Sequence, residues 1–183
     1  MTSNAPVAAL SAWIRERRRT LVGIGIGTAS WVCAFTVAWL RWPPSPRLAP
    51  DERIAYALQL VTAPAMLILL MVCACLRLFD TAQAESPLAG AESAWFRINQ
   101  RVLTNTIEQG AAFVPLVLGL AVRLSPERLR LLPIAVTVWC AGRVMFWVGY
   151  HVAPHWRAPG FDWTFYTSAL LAGTYVGTWL WPS

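Results

Sequence analysis

The sequence predicts an all-α integral membrane protein with five spans, and three observations carry that prediction. First, 57% of its 183 residues are apolar and only 13% are charged, with a mean hydropathy of +0.49. An ordinary soluble domain is about 45–50% apolar and about 25% charged. Second, apolar runs recur at lengths near the roughly 20 residues that a helix needs to cross a bilayer. Third, charge and indole gather between those runs. All 15 basic residues are Arg, and Trp42, Trp95, Trp156, Trp163 and Trp181 stand at run ends, where the ring favours the membrane interface. The imbalance excludes a disordered chain, a disulfide-rich secreted fold and a nucleic-acid module. The net charge of +6 instead suits membrane lipid, through anionic headgroups.

Leu21 to Leu40 is the first span, twenty uncharged residues behind the basic cluster Arg15, Arg17, Arg18 and Arg19. A cleaved signal would have a core of about 7–15 residues and a small-residue cleavage site; this run is longer and ends in Arg-Trp-Pro-Pro-Ser-Pro, so it reads as a retained helix. Pro43, Pro44, Pro46 and Pro50 stiffen the connection that follows. Ile54 to Leu76 is the second span, 23 uncharged residues with Pro64 as an expected kink. A polar connection runs from Arg77 to about Ala94. The third span runs from Trp95 to about Val122, the fourth from Leu131 to about Ala153 and the fifth from Trp163 to Trp181. Residues 1–53 therefore form a basic segment, a first helix and a Pro-rich connection, and residues 54–183 a four-helix membrane domain. With the amino terminus in the cytoplasm, seven of the loop arginines lie inside and six outside; the Arg15–Arg19 cluster decides for this orientation.

The third and fourth spans carry polar groups that a simple anchor would lack. Arg101, Asn105 and Glu108 are spaced i, i+4, i+7, along one helical face. Arg143, Phe146 and Tyr150, at i, i+3, i+7, share a face of the fourth span. An arginine at the centre of a membrane helix costs at least about 2.5–3.5 kcal/mol, so such groups face the bundle interior and find partners. Two arrangements fit. Glu108 pairs with Arg143 in a neutral network that fixes register, or the surplus of Arg101, Arg143 and Arg157 over Glu108 forms a pocket for an anion.

Other chemistry has little footing. Cys33, Cys73, Cys75 and Cys140 fall in apolar runs and read as reduced, structural thiols. His151 and His155 lack a nearby third ligand, so no metal is expected. Gly23, Gly25 and Gly27 sit in an apolar span with no strand before them, where close helix packing explains them better than a nucleotide fingerprint.

Arg101-x3-Asn105-x2-Glu108, followed by an apolar helix, resembles the second-helix motif of the MAPEG superfamily, the membrane-associated proteins of eicosanoid and glutathione metabolism. Arg143-x2-Phe146-x3-Tyr150-x6-Arg157, with Gly149 before the Tyr, is similar to that family's third helix and following loop. The resemblance covers about Ile54 to Trp181. It implies a MAPEG-like four-helix bundle with one additional N-terminal transmembrane helix. It also implies a homotrimer that holds glutathione, as co-substrate, between subunits near the cytoplasmic side. Arg101, Asn105, Glu108, Arg143 and Tyr150 are the implied glutathione contacts, and Arg157 the catalytic arginine that activates the thiol. Arg77 matches an arginine at the end of the family's first helix, across a connection of different length. The chemistry agrees: arginines grip the two carboxylates bidentately, Glu108 takes the ammonium, and a fixed guanidinium favours the thiolate.

The sequence departs from the pattern in three places. Phe146 stands where leukotriene synthases have Tyr, Gln109 where they have an aromatic, and the first span has no counterpart. The expected function is a microsomal-type glutathione transferase that attacks a lipophilic electrophile, with peroxidase activity toward lipid hydroperoxides and a part in detoxification. The alternative is a non-catalytic binding or partner protein of the same fold. A transporter lacks its usual broken helices and repeated halves.

Overall fold

The computed structural model describes residues 5–45, 47–76, 80 and 90–181, with side chains of residues 5–12 and of Pro154 outside the description. Five helices follow one another: α1 (Ala5–Arg41), α2 (Pro50–Ala74), α3 (Ala94–Arg123), α4 (Leu131–Val152) and α5 (Arg157–Leu180). Single 3₁₀ turns, Pro126–Arg128 and Pro154–Trp156, join α3 to α4 and α4 to α5.

Local chemistry sets the ends. Pro50 opens α2 at a position where its missing N–H costs nothing, and Asp51 and Glu52 lie in the first turn, facing the positive end of the helix dipole. The Glu52 carboxylate accepts from Ala49 N–H at 2.8 Å. Ser93 caps α3, its hydroxyl accepting from Phe96 N–H at 3.1 Å. α2 runs as one helix through Pro64, whose ring is buried.

Two helices differ from expectation. α1 begins at Ala5, so the Arg15–Arg19 cluster rides on the helix ahead of the apolar run. α5 begins at Arg157, six residues before the expected Trp163. Pro159 falls in its first turn, where proline is tolerated, and Gly160 is drawn into a close crossing.

Among the described residues, four helices are long and apolar enough to cross a membrane by length and composition: α1 from Trp13, α2, α3, and α4 with its preceding turn. α5 has 24 residues but is richer in hydroxyls. Several of these are satisfied within the helix, as where Thr167 donates to Trp163 C=O at 2.6 Å and Ser168 to Thr164 C=O at 2.9 Å.

α4 is the inner helix and touches the other four. Its crossing with α5 is close because glycine stands on both sides. A Cβ at Gly160 would collide with the backbone of Phe146 and Gly142, and one at Gly149 with the backbone of Trp156. Small residues permit such backbone contact in membrane bundles. α1 packs on α5 and α4. Gly23 meets Ala158, and a Cβ on Gly27 would lie 2.8 Å from Pro159 Cα, while Gly25 faces nothing. Trp31 Nε1–H donates to Thr167 at 3.0 Å and Trp163 Nε1–H to Ser30 at 2.9 Å, fixing the register of α1 on α5.

Packing is uneven along the bundle. The larger apolar cluster, including Leu120, Ala121, Leu124, Leu129 and Leu132, surrounds the α3–α4 turn. Arginines tie the helices there. Arg53 donates to Leu124 C=O at 2.9 Å, and Arg123 bonds the Thr178 hydroxyl at 2.8 Å and carbonyl at 2.9 Å. Arg130 lies over the Trp39 ring at 4.1 Å. A smaller cluster of Leu67, Met71, Val102 and Phe146 holds the opposite end.

Candidate functional site

At that opposite end a polar cavity of about 560 Å³ opens beside α3, within the size range of small-molecule sites. α3 supplies one wall because its polar residues repeat at helical spacing: Arg97, Arg101, Asn105 and Glu108 all face the cavity. α4 adds Phe146 and Tyr150, and α5 adds Arg157 from its first turn. The close crossing at Gly149 and Gly160 therefore decides where Arg157 sits. Its guanidinium donates to the Tyr150 hydroxyl at 2.9 Å and lies 5.1 Å from the centre of that ring. The Phe146 ring meets Tyr150 edge-on at 5.7 Å.

Of the residues singled out from sequence, the fold brings Arg101, Asn105, Glu108, Tyr150 and Arg157 into the lining of one cavity. Arg77 lies outside the described residues. Arg143 stands behind the wall, 0% exposed. It donates to Asn105 Oδ1 at 2.9 Å and to Thr164 Oγ1 at 2.6 Å, and lies over the Phe146 ring at 4.6 Å. Of the two arrangements that the sequence allows, the pairing of Arg143 with Glu108 does not form. Asn105 and Thr164 take up both terminal nitrogens inside the bundle, whereas Glu108 is exposed on the cavity side of α3. Arg143 has only donors, so it fixes Asn105 with its amide oxygen turned inward.

Sequence reading passes over Arg97, Gln100 and Thr104 as site residues, although they continue the Arg101–Glu108 face. It also passes over Asn99, which is buried and accepts from Trp147 Nε1–H at 2.8 Å and pairs with His151 Nε2 at 2.9 Å. That junction fixes α3 against α4.

Among the described lining residues, three arginines stand against Glu92 and Glu108, with a fourth guanidinium buried behind them. The cavity thus suits a ligand with more anionic than cationic groups. Arg143 has no carboxylate partner among these bonds, and burying a charge without one is costly. Arg143→Met is therefore expected to leave thermal stability equal or higher while weakening an anionic ligand by about tenfold, through loss of the Asn105 orientation. Melting curves with and without ligand separate the two effects, and unchanged affinity would show that Asn105 needs no such support.

No curated protein and no solved structure matches the chain. The MAPEG family model matches residues 54–177, from the start of α2 into the last turn of α5, and leaves α1 outside. That match covers more than half of the chain and all the cavity residues named on α3, α4 and α5, and the long apolar helices agree with an integral membrane protein: the chain belongs to the MAPEG family.

Proposed function

We propose that the protein is a membrane-bound glutathione transferase, with glutathione-dependent peroxidase activity toward lipid hydroperoxides at the same site. The observation that carries this reading is the placement of the Arg157 guanidinium, held by the Tyr150 hydroxyl, on a cavity whose other wall presents Arg101 and Glu108. Glutathione carries two carboxylates, an ammonium and a thiol. Arg101 and Arg97 grip carboxylate, Glu108 takes the ammonium, and the Asn105 amide donates beside them. Arg77 is a further contact carried from the family resemblance.

Arg157 favours the thiolate through the fixed positive charge of its guanidinium. A free thiol has a pKa of about 8.5. The thiolate sulfur attacks the electrophilic carbon, the C–S bond forms, and the leaving group departs with its electron pair. The thiol proton passes to solvent. Toward a hydroperoxide, two glutathiones are oxidised to the disulfide while the peroxide is reduced to an alcohol and water.

In this reading all five helices cross the membrane with the amino terminus in the cytoplasm. Three copies assemble, so that a neighbour closes the open side of the cavity. No metal takes part.

Titration of detergent-purified protein with glutathione, following thermal stability and the ultraviolet absorbance of the thiolate together, tests the reading. Arg101→Ala and Glu108→Ala are each expected to weaken glutathione by roughly 10–100-fold, the value of a charge-assisted hydrogen bond of about 1.5–3 kcal/mol. Affinity unchanged in both variants would remove glutathione from this cavity. Phe146, which lacks a hydroxyl, and Gln109 favour a second reading, a binding protein of the same fold. It expects stabilisation by glutathione without a thiolate signal.

A further inference from the structure

Beyond the polar cavity, on the far side of the α5 start, lies a second chamber of about 390 Å³. Asn105, Phe146 and Arg157 border both spaces. The rest of the chamber is different in character. α5 gives it Ala158, Phe161 and Asp162, and α1 borders it with the exposed Thr20 and Ile24. Its exposed surface is mostly carbon, whereas that of the first cavity is mostly polar. A hydrophilic cup and an apolar chamber therefore meet at Arg157, the residue assigned to the sulfur.

We propose that α1 forms a wall of the site for the second substrate, a lipophilic electrophile, and that Thr20 and Ile24 set the size of the group it accepts. The proposal rests on the glutathione reading above and extends it to a helix outside the family match.

Three facts support it. The chamber reaches the position of the sulfur, because Arg157 lines it. A further apolar groove, lined by Gln109, Ala112, Phe165 and Ser168, shares only Glu108 with the cavity, the end assigned to the ammonium. And α1 is held firmly enough to act as a wall. Gly23 and Gly27 seat it on Ala158 and Pro159, and two indole hydrogen bonds fix its register on α5. Ile24 follows Gly23 on that seated stretch and borders the chamber beside it.

S-alkyl glutathiones test the proposal without requiring turnover. S-Methyl-, S-butyl- and S-hexylglutathione present the same polar body with an apolar chain at the sulfur. Their affinities for the full-length detergent-purified protein are measured by titration calorimetry. Each methylene that enters an apolar chamber is expected to tighten binding by about fourfold. In Ile24→Trp, which fills the chamber, that gain is expected to vanish while S-methylglutathione binds as before. Thr20→Phe is the second filling variant should the first not fold, and ligand-free melting curves check each. Ile24→Ala, which widens the chamber, is expected to extend the gain to longer chains.

A chain-length gain that survives both filling variants would overturn the proposal and move the chain to the α3–α5 groove. Absence of any gain in the unmodified protein would overturn it too. Failure of glutathione and all three derivatives to bind would instead overturn the glutathione reading, and the chamber's role with it.

Discussion

Arg157→Ala is expected to lower turnover about 100-fold, the usual effect of removing a preorganised charge that stabilises a developing or reacting anion. Under the proposed glutathione reading, binding should change far less, because the contacts assigned to Arg101, Glu108 and Asn105 remain in place. The pH profile separates this from simple damage. With the guanidinium present, the bound thiol should ionise below its free value, so the rate should already be high near neutrality. Without it the thiol returns toward about 8.5, and the rate should climb with pH across the neutral range until the two proteins converge. Tyr150→Phe removes the hydroxyl that accepts from Arg157 at 2.9 Å and should give a smaller loss of the same kind. A full rate and an unshifted profile in Arg157→Ala would dismiss this residue as the activating group.

The second large effect is structural. Gly160→Val places a branched side chain where α4 and α5 touch backbone to backbone, with Gly142 O and Phe146 Cα each only 2.6 Å from the point its Cβ would occupy. Overpacking against side chains costs about 1–3 kcal/mol. Here neither backbone can rotate away, so the cost should exceed that range and the helices must separate. The melting temperature should fall sharply, or the protein should elute as aggregate on size exclusion. Gly173→Ala is the matched control. Nothing lies within 4 Å of its added carbon, and alanine is the better helix former by about 0.8–1.0 kcal/mol, so that variant should be unchanged or slightly more stable. Equal behaviour of the two variants would mean that the α4–α5 crossing is looser than these distances require.

The helices and the site are unequally legible in the sequence. Long uncharged stretches announce themselves, because a bilayer demands continuous apolar length and satisfied backbone. Leu21–Leu40 and Ile54–Leu76 stand out for that reason, and the Arg101–Asn105–Glu108 face follows from helical spacing alone. The start of α5 is hidden because Pro159-Gly160 looks like a loop. Only the contact of Gly160 with Phe146 and Gly142 shows why a helix needs that glycine. Spacing also says which residues share a face of one helix, but not which face meets which neighbour. So a pairing of Arg143 with Glu108 fits the sequence, while the rotation of α4 turns Arg143 toward Asn105 and Thr164. The extent of α1 is hidden as well, since a charged helical turn and a charged tail have the same composition.

The tie of Arg123 to Thr178, and of Arg53 to Leu124, sits at the end of the bundle opposite the cavity. α3 has 30 residues and so measures about 45 Å. One long helix therefore carries its anchorage at one end and its cavity-facing arginines at the other, and a change in either leaves the chemistry of the other in place.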